Sequence, residues 1–385
     1  MIEFFEFQSQ PRVLYKAGLV QDLGNEIAHL GTRALIITDQ GIAQAGILDQ
    51  VQAGLGQSIE LVGVFTDVPA NSSVSVVEQA AAYAQEQGAD VLVALGGGSP
   101  IDTAKATRIL LTEGGQLHDY QGFNLLTRRL VPMVAIPTTA GTGSEVTTWA
   151  VIRDEQNQVK MHLCSPFLAP DLAILDPELT RSLPTHLTAA TGLDALTHAI
   201  EAFVGTNSNP ISDCLALQAI DMISNNLRAA TFNTDEGDAR NNMLIASCIA
   251  GIAFSSGGGS LGVVHAISHA IGGMFDVHHG TANAILLPHG MRFNSEAVPN
   301  RFSRIARAMG VNAGGRAEEH VIDDGIEAVR SLICDCRLPT RLRDLDIPES
   351  ALPTLAELAL VDAAIFTNPR PITFEEALTL LQASW

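Results

Sequence analysis

Two short segments space their polar side chains as metal ligands are spaced on a helix. Asp194-Ala195-Leu196-Thr197-His198 sets a carboxylate and an imidazole four positions apart, and Val264-His265-Ala266-Ile267-Ser268-His269 does the same with two imidazoles. Residues i and i+4 share a helix face about one turn apart, so each pair can reach one ion. Taken alone, the first pair is better explained as an exposed helix-stabilising i,i+4 pair. The second segment shifts that balance: His265, His269, His278 and His279 fall within fifteen positions whose single charged residue is Asp276. One histidine on an apolar face is usually a satisfied core residue; four so close together call for a ligand. Imidazole with carboxylate suits Fe(II) or Zn(II), and both remain open. Adjacent side chains diverge, so of His278 and His279 one faces such an ion; the spacing does not say which.

A second chemistry is written in the first half. Leu95-Gly96-Gly97-Gly98-Ser99-Pro100-Ile101-Asp102 ends an apolar run in three glycines and opens a helix, with Ser99 expected as N-cap and Pro100 as first helical residue. A helix N-terminus behind a glycine turn binds anions, and a pyrophosphate is the natural occupant. Ile136-Pro137-Thr138-Thr139-Ala140-Gly141-Thr142-Gly143-Ser144-Glu145-Val146-Thr147 adds glycines and hydroxyls that can donate to a phosphate or ribose. Asp39 directly follows the apolar run 33–38. A carboxylate there accepts from ribose hydroxyls, which favours NAD over a 2′-phosphorylated cofactor.

The elements that must position these residues are readable in outline. Apolar runs at 33–38, 90–95, 131–136 and 172–175 alternate with helical stretches such as 76–87. Buried strands separated by helices imply a parallel sheet covered on both faces. From Pro184 the strand pattern fades and helical patterns take over, so the expected domains are 1–182 and 183–385. At 385 residues, with 46% hydrophobic and 17% charged residues, the chain can bury a large core in two domains. Its formal charge of -20 excludes nucleic acid and anionic membrane surfaces as partners. The uncharged stretch 241–275 is interrupted by Ser255 to Ser260, which suits a buried segment rather than a membrane span. Met1 to Pro11 lacks the pattern of a secretory signal. The five cysteines, at 164, 214, 248, 334 and 336, form no disulfide framework and fit a reducing cytoplasm.

With these motifs assembled, the chain resembles the iron-containing (group III) alcohol dehydrogenases, of the dehydroquinate synthase-like fold, almost end to end. The resemblance rests on Gly96 to Asp102, the Pro137 to Thr147 loop and Gly192 to Glu201. It continues through Val264 to Gly273, His279 to His289 and Thr367-Asn368-Pro369-Arg370-Pro371. It implies an α/β N-terminal dinucleotide-binding domain with a parallel sheet, followed by an all-α metal-binding domain. By position it implies Asp194, His198, His265 and His279 as metal ligands, and His269 as a catalytic proton relay. Asp39, Asn71, Gly97, Gly98, Ser99, Asp102, Thr138, Thr139, Thr142, Ser144, Thr147, Lys160 and Leu179 correspond to cofactor contacts. Trp149 and Phe254 correspond to the substrate pocket.

The implied activity is NAD-linked oxidation of small primary alcohols or diols, or reduction of the aldehydes, with Fe(II) or Zn(II) polarising the substrate oxygen. A glycerol dehydrogenase or a maleylacetate reductase-like enzyme is the alternative within the superfamily. A cytoplasmic homodimer or higher homo-oligomer is expected. The chain departs from the family pattern in an expanded loop around Gly257 to Gly259, in His278 where proline is usual, and in Ala70-Asn71-Ser72-Ser73.

Overall fold

The computed structural model describes Phe5, Phe7 and residues 11–232, 237–256, 260–275 and 277–385; the expanded loop at Gly257 to Gly259 lies outside these residues. The chain begins β1 (Arg12–Tyr15), α1 (Leu23–Ile27), β2 (Arg33–Ile37), α2 (Gln40–Gln44), α3 (Ile47–Leu55), β3 (Glu60–Phe65), α4 (Val74–Gln87) and β4 (Val91–Gly96). It continues α5 (Gly98–Glu113), β5 (Gly122–Phe123), β6 (Met133–Pro137), β7 (Trp149–Asp154), β8 (Val159–Cys164) and β9 (Leu172–Leu175). Six of these strands form one parallel sheet in the order β1-β9-β6-β4-β2-β3.

The sheet is apolar on both faces, as continuous hydrophobic runs require. Ala34, Ile36, Val93, Leu95, Val134, Ile136 and Ile174 pack into one core layer. Their strand neighbours Leu35, Ile37, Leu92, Ala94, Met133 and Ala135 pack into the other. Alternate residues of a strand point to opposite faces, so helices must cover both sides. Burying each such side chain stabilises by roughly 1.5–3 kcal/mol.

The chain reverses its direction of travel across the sheet between β2 and β4. In open parallel sheets ligands bind beyond the carboxyl ends of the strands at that reversal. The turn after β4 leads into α5, but its cap differs from the sequence expectation. Gly97, in extended conformation, is the N-cap, and the helix starts at Gly98. Pro100 therefore stands third in the helix, still in the first turn, where its missing N–H costs nothing. Gly96 has φ 146°, and a Cβ there would lie 2.6 Å from Pro100 Cγ, so only glycine fits. The small sheet β5-β8-β7, with an antiparallel β7–β8 hairpin, was not anticipated from the apolar runs.

The second half is helical: α6 (Thr185–Val204), α7 (Pro210–Phe232), α8 (Gly237–Ser255), α9 (Val263–Met274) and α10 (His279–Ser295). It ends α11 (Pro299–Ala308), α12 (Glu318–Asp335), α13 (Leu352–Ala359) and α14 (Phe374–Ser384). Every residue of α6 from Thr188 to Val204 is buried. A helix buried all round is a central one, and α7, α8 and α10 pack against it. The uncharged stretch 241–275 divides between α8 and α9, and no described helix is long and apolar enough to cross a membrane. Two compact units result: Gln10–Thr139 with Gly143–Leu183, and Pro184–Trp385 with Ala140–Thr142.

Candidate metal centre and cofactor site

In the helical unit, α6 carries Asp194 and His198 on one face, as their four-residue spacing requires. Helix α9 brings His265, and ligand atoms of Asp194, His198 and His265 lie within 4.8 Å of one another, all buried. Helix α10 begins at His279, whose Nε2 stands 3.7 Å from Asp194 Oδ1. His278 is the N-cap of α10, exposed, and outside the cluster. The glycine after His279 explains how α10 comes so close: a Cβ on Gly280 would lie 2.3 Å from the Ala190 carbonyl oxygen of α6. The imidazoles crowd together, His198 and His265 stacking at 4.6 Å and His265 meeting His279 at 5.3 Å between ring centroids. Phe254 closes one side, stacked on His198 at 4.5 Å.

Each remaining ring nitrogen of two of these histidines has a dedicated partner. Glu201, one turn beyond His198 on α6, is buried and accepts from His265 Nδ1 at 2.6 Å. The same carboxylate accepts from the N–H groups of Gly262 at 2.9 Å and Val264 at 2.8 Å. Glu201 thus caps the start of α9 and directs the lone pair of His265 Nε2 towards Asp194 Oδ1, 3.8 Å away. Ser268 Oγ meets His279 Nδ1 at 2.9 Å. Burial pushes His198 down to about 4, against the opposing charge of Asp194, so its imidazole is neutral at physiological pH. Burial also opposes the charging of His265, but the hydrogen bond and charge of Glu201, with the charges of Asp194 and Asp362, together raise its pKa.

One carboxylate and three imidazoles converge here, with His265 Nε2 and Asp194 Oδ1 3.8 Å apart, too far for a direct hydrogen bond. Among the described residues, His198 Nδ1 is buried without a hydrogen bond of ordinary geometry. This donor chemistry fits a divalent transition-metal ion.

His269, one turn after His265, is buried and held at Nδ1 by both oxygens of Asp362, at 3.2 and 3.1 Å. Neither Glu201 nor Asp362 was singled out from the sequence; Thr367 and Asn368 stood out there as part of a motif, and the structure adds what they hold, the start of α9. There Thr367 Oγ1 accepts from Leu261 N–H at 3.1 Å and Asn368 Oδ1 from Val263 N–H at 3.1 Å. The Thr367-Asn368-Pro369-Arg370 motif therefore fixes the loop that aims His265.

In the sheet-bearing unit, Asp39 is half-buried and caps α2, accepting from Ile42 N–H at 2.9 Å. Asn71, Ser99 and Lys160 come together from three elements. Asn71 N–H donates to Ser99 Oγ at 3.2 Å, and Lys160 Nζ donates to Asn71 Oδ1 at 2.8 Å. Asn71 adopts φ 57°, a left-handed conformation that asparagine tolerates. Thr138 N–H donates to Gly96 O at 3.0 Å, and a Cβ on Gly97 would touch Thr139 Oγ1 at 3.3 Å, so the two loops are neighbours. Gly98 is the first residue of α5.

Asp102 accepts from Val151 N–H at 3.0 Å and from Ser144. Beneath it, Lys105 is completely buried and donates to Thr147 Oγ1 at 2.9 Å and to the Trp149 carbonyl at 2.7 Å. Burial pushes Lys105 down to about 8, with Asp102 and Glu145 opposing the shift. Leu179 packs in the core below the sheet. Thr142 groups with the helical unit, and Trp149 with the sheet-bearing unit, where its ring meets Phe123 edge-on at 5.3 Å.

The chain is similar to known proteins along almost its whole length. The family model described as iron-containing alcohol dehydrogenase matches residues 10–177. The C-terminal model of the Fe-containing alcohol dehydrogenase family matches residues 188–385. The 1,3-propanediol dehydrogenase of Klebsiella pneumoniae is 40% identical over 357 residues, 92% of each chain. The NAD-dependent methanol dehydrogenase of Bacillus methanolicus is 35% identical over 373 residues, 97% of each chain. The crystal structure of a 1,3-propanediol oxidoreductase superposes with a TM-score of 0.95 at 37% identity, covering 100% of both chains. The chain belongs to the iron-containing alcohol dehydrogenase family, and is an oxidoreductase.

Proposed function

We propose that this enzyme transfers hydride reversibly between small primary alcohols or diols and NAD, with Asp194, His198, His265 and His279 holding a divalent ion, iron in the first instance. The observation that carries the proposal is the convergence of buried Asp194, His198 and His265 with half-buried His279 in the helical unit. When bound, the ion supplies a Lewis acid for the alcohol oxygen and NAD supplies the hydride acceptor.

The chain's own groups do the rest. Glu201, an acceptor only, holds His265 in the tautomer with Nδ1–H, and Ser268 orients the ring of His279. His269 carries the mobile proton at Nε2 while its Nδ1–H stays bonded to Asp362. Phe254, stacked on His198, supplies an apolar wall for a short substrate. Gly97, Gly98 and Ser99 at the start of α5, with Thr138, Thr139, Thr142, Ser144 and Thr147, offer donors to the dinucleotide. Asn71, Asp102, Lys160 and Leu179 complete its contacts. Asp39 accepts from the ribose hydroxyls and repels a 2′-phosphate. The five cysteines, all free, suit a reducing cytoplasm, where the enzyme acts as a homodimer or larger homo-oligomer.

The test is a screen of Fe(II)- and Zn(II)-loaded protein with NAD and short alcohols and diols, following NADH. Turnover with 1,3-propanediol or a similar alcohol is expected. kcat/KM should be higher with NAD than with NADP, and Asp39→Gly should narrow that gap. Absence of NADH from every alcohol in both metal forms would refute the proposal.

A further inference from the structure

We infer that Asn283 is a positioning residue of the metal centre, setting ion affinity through the carboxylate of Asp194. The inference rests on the reading of Asp194, His198, His265 and His279 as the ligand set. Asn283 is completely buried, four residues after His279 and so on the same face of α10. Its Nδ2 donates to Asp194 Oδ1 at 2.7 Å and lies 3.1 Å from His279 Nε2 and 3.3 Å from His265 Nε2. One amide nitrogen therefore touches three of the four proposed ligands.

The amide orientation follows from those partners. Turned over, its carbonyl oxygen would face a carboxylate oxygen and two imidazole nitrogens. An NH2 group has two hydrogens and cannot satisfy three acceptors. The bond to Asp194 is the shortest and involves a charged acceptor, so it dominates. Among the described residues Asn283 Oδ1 has no hydrogen-bond partner, and the polar bonding of the amide is directed at the ligands. A residue buried for packing alone would be cheaper as leucine, because burying an unpaired amide oxygen is costly. Pinning Asp194 Oδ1 fixes the plane of the carboxylate before an ion is bound, which is how outer partners raise metal affinity, by about 10–100-fold.

The experiment uses metal-free full-length protein titrated with Co(II), a spectroscopic stand-in for iron or zinc. Asn283→Leu keeps the volume and removes the donor. We expect its Co(II) dissociation constant to rise about 10–100-fold, with a shift in the visible Co(II) bands and unchanged NADH binding. Its melting temperatures with and without metal should also lie closer together. A packing role alone would lower both melting temperatures equally and leave affinity and bands as in the parent; that result, or tighter Co(II) binding, overturns the inference. Asn283→Ala carries the same measurements if the leucine variant does not fold. His198→Ala is titrated in parallel. If it retains Co(II), the ligand reading itself fails. If it loses Co(II) while Asn283→Leu binds normally, only the role of Asn283 falls.

Discussion

Gly280→Ala tests how the metal centre is assembled, because two effects of opposite sign compete at this position. Alanine is the better helix former, by about 1 kcal/mol, so an unobstructed substitution would stabilise α10. The added Cβ, however, would stand 2.3 Å from the carbonyl oxygen and 2.8 Å from the carbonyl carbon of Ala190, and 3.3 Å from Asp194 Cβ. The two carbonyl atoms belong to the backbone of the buried helix α6 and cannot rotate aside. Restoring a contact of ordinary length pushes α10 away from α6 by about 1 Å. Overpacking of this kind costs about 1–3 kcal/mol.

The clash should therefore win, leaving a net loss of up to about 2 kcal/mol. At roughly 2–4 °C per kcal/mol for a domain of this size, Tm should fall by up to roughly 8 °C. The same displacement carries His279 away from Asp194, and metal bonds tolerate only about 0.2 Å. Metal content of the purified variant should fall with it. Differential scanning calorimetry and elemental analysis on one preparation give both numbers. A rise in Tm with full metal content would show that α10 does not depend on this contact, and the reasoning would fail.

Two further outcomes follow from the same geometry. His279→Ala should abolish metal binding, whereas His278→Ala should keep the ion, since His278 is exposed at the cap of α10; elemental analysis of the pair decides, and the reverse pattern refutes the assignment. Glu201→Gln replaces one of two accepting oxygens by a donor, leaving at least one of Gly262 N–H, Val264 N–H and His265 Nδ1–H unpaired. A buried unpaired donor costs about 1–3 kcal/mol, so metal affinity in a Co(II) titration should fall at least fivefold, and parent-like affinity would count against the role of Glu201.

Much of the architecture was open to reading because its signals are local. The apolar run at Leu172 to Leu175 is a strand with those bounds, and the helix expected at 76–87 forms two residues longer at its start. Asp194 with His198, and His265 with His269, owe their shared faces to helix geometry within one turn. The β7–β8 hairpin also had a local signature that the search for continuous apolar runs passed over. Its strand Trp149 to Asp154 alternates buried and half-buried residues, and Asp154 to Asn157 supplies the turn. Ser99 looked like the cap of α5 because serine commonly is. The conformation available to Gly97 let the helix begin earlier and turned Ser99 towards Asn71.

The sequence by itself determined the two-layer chemistry: a glycine turn on a parallel sheet, then histidines and an aspartate at helical spacing. Tertiary structure alone decided which groups serve those residues. Glu201 meets His265 across 64 positions, Asp362 meets His269 across 93, and Asn283 meets Asp194 across 89. Nothing in the spacing of a glutamate or an asparagine says which helix will lie beside it. The choice between His278 and His279 is of the same kind. Both are histidines in one apolar neighbourhood, and the structure separates them because α10 starts between them and Gly280 seats only the second against α6. Periodicity specifies a face of a helix; packing specifies what that face meets.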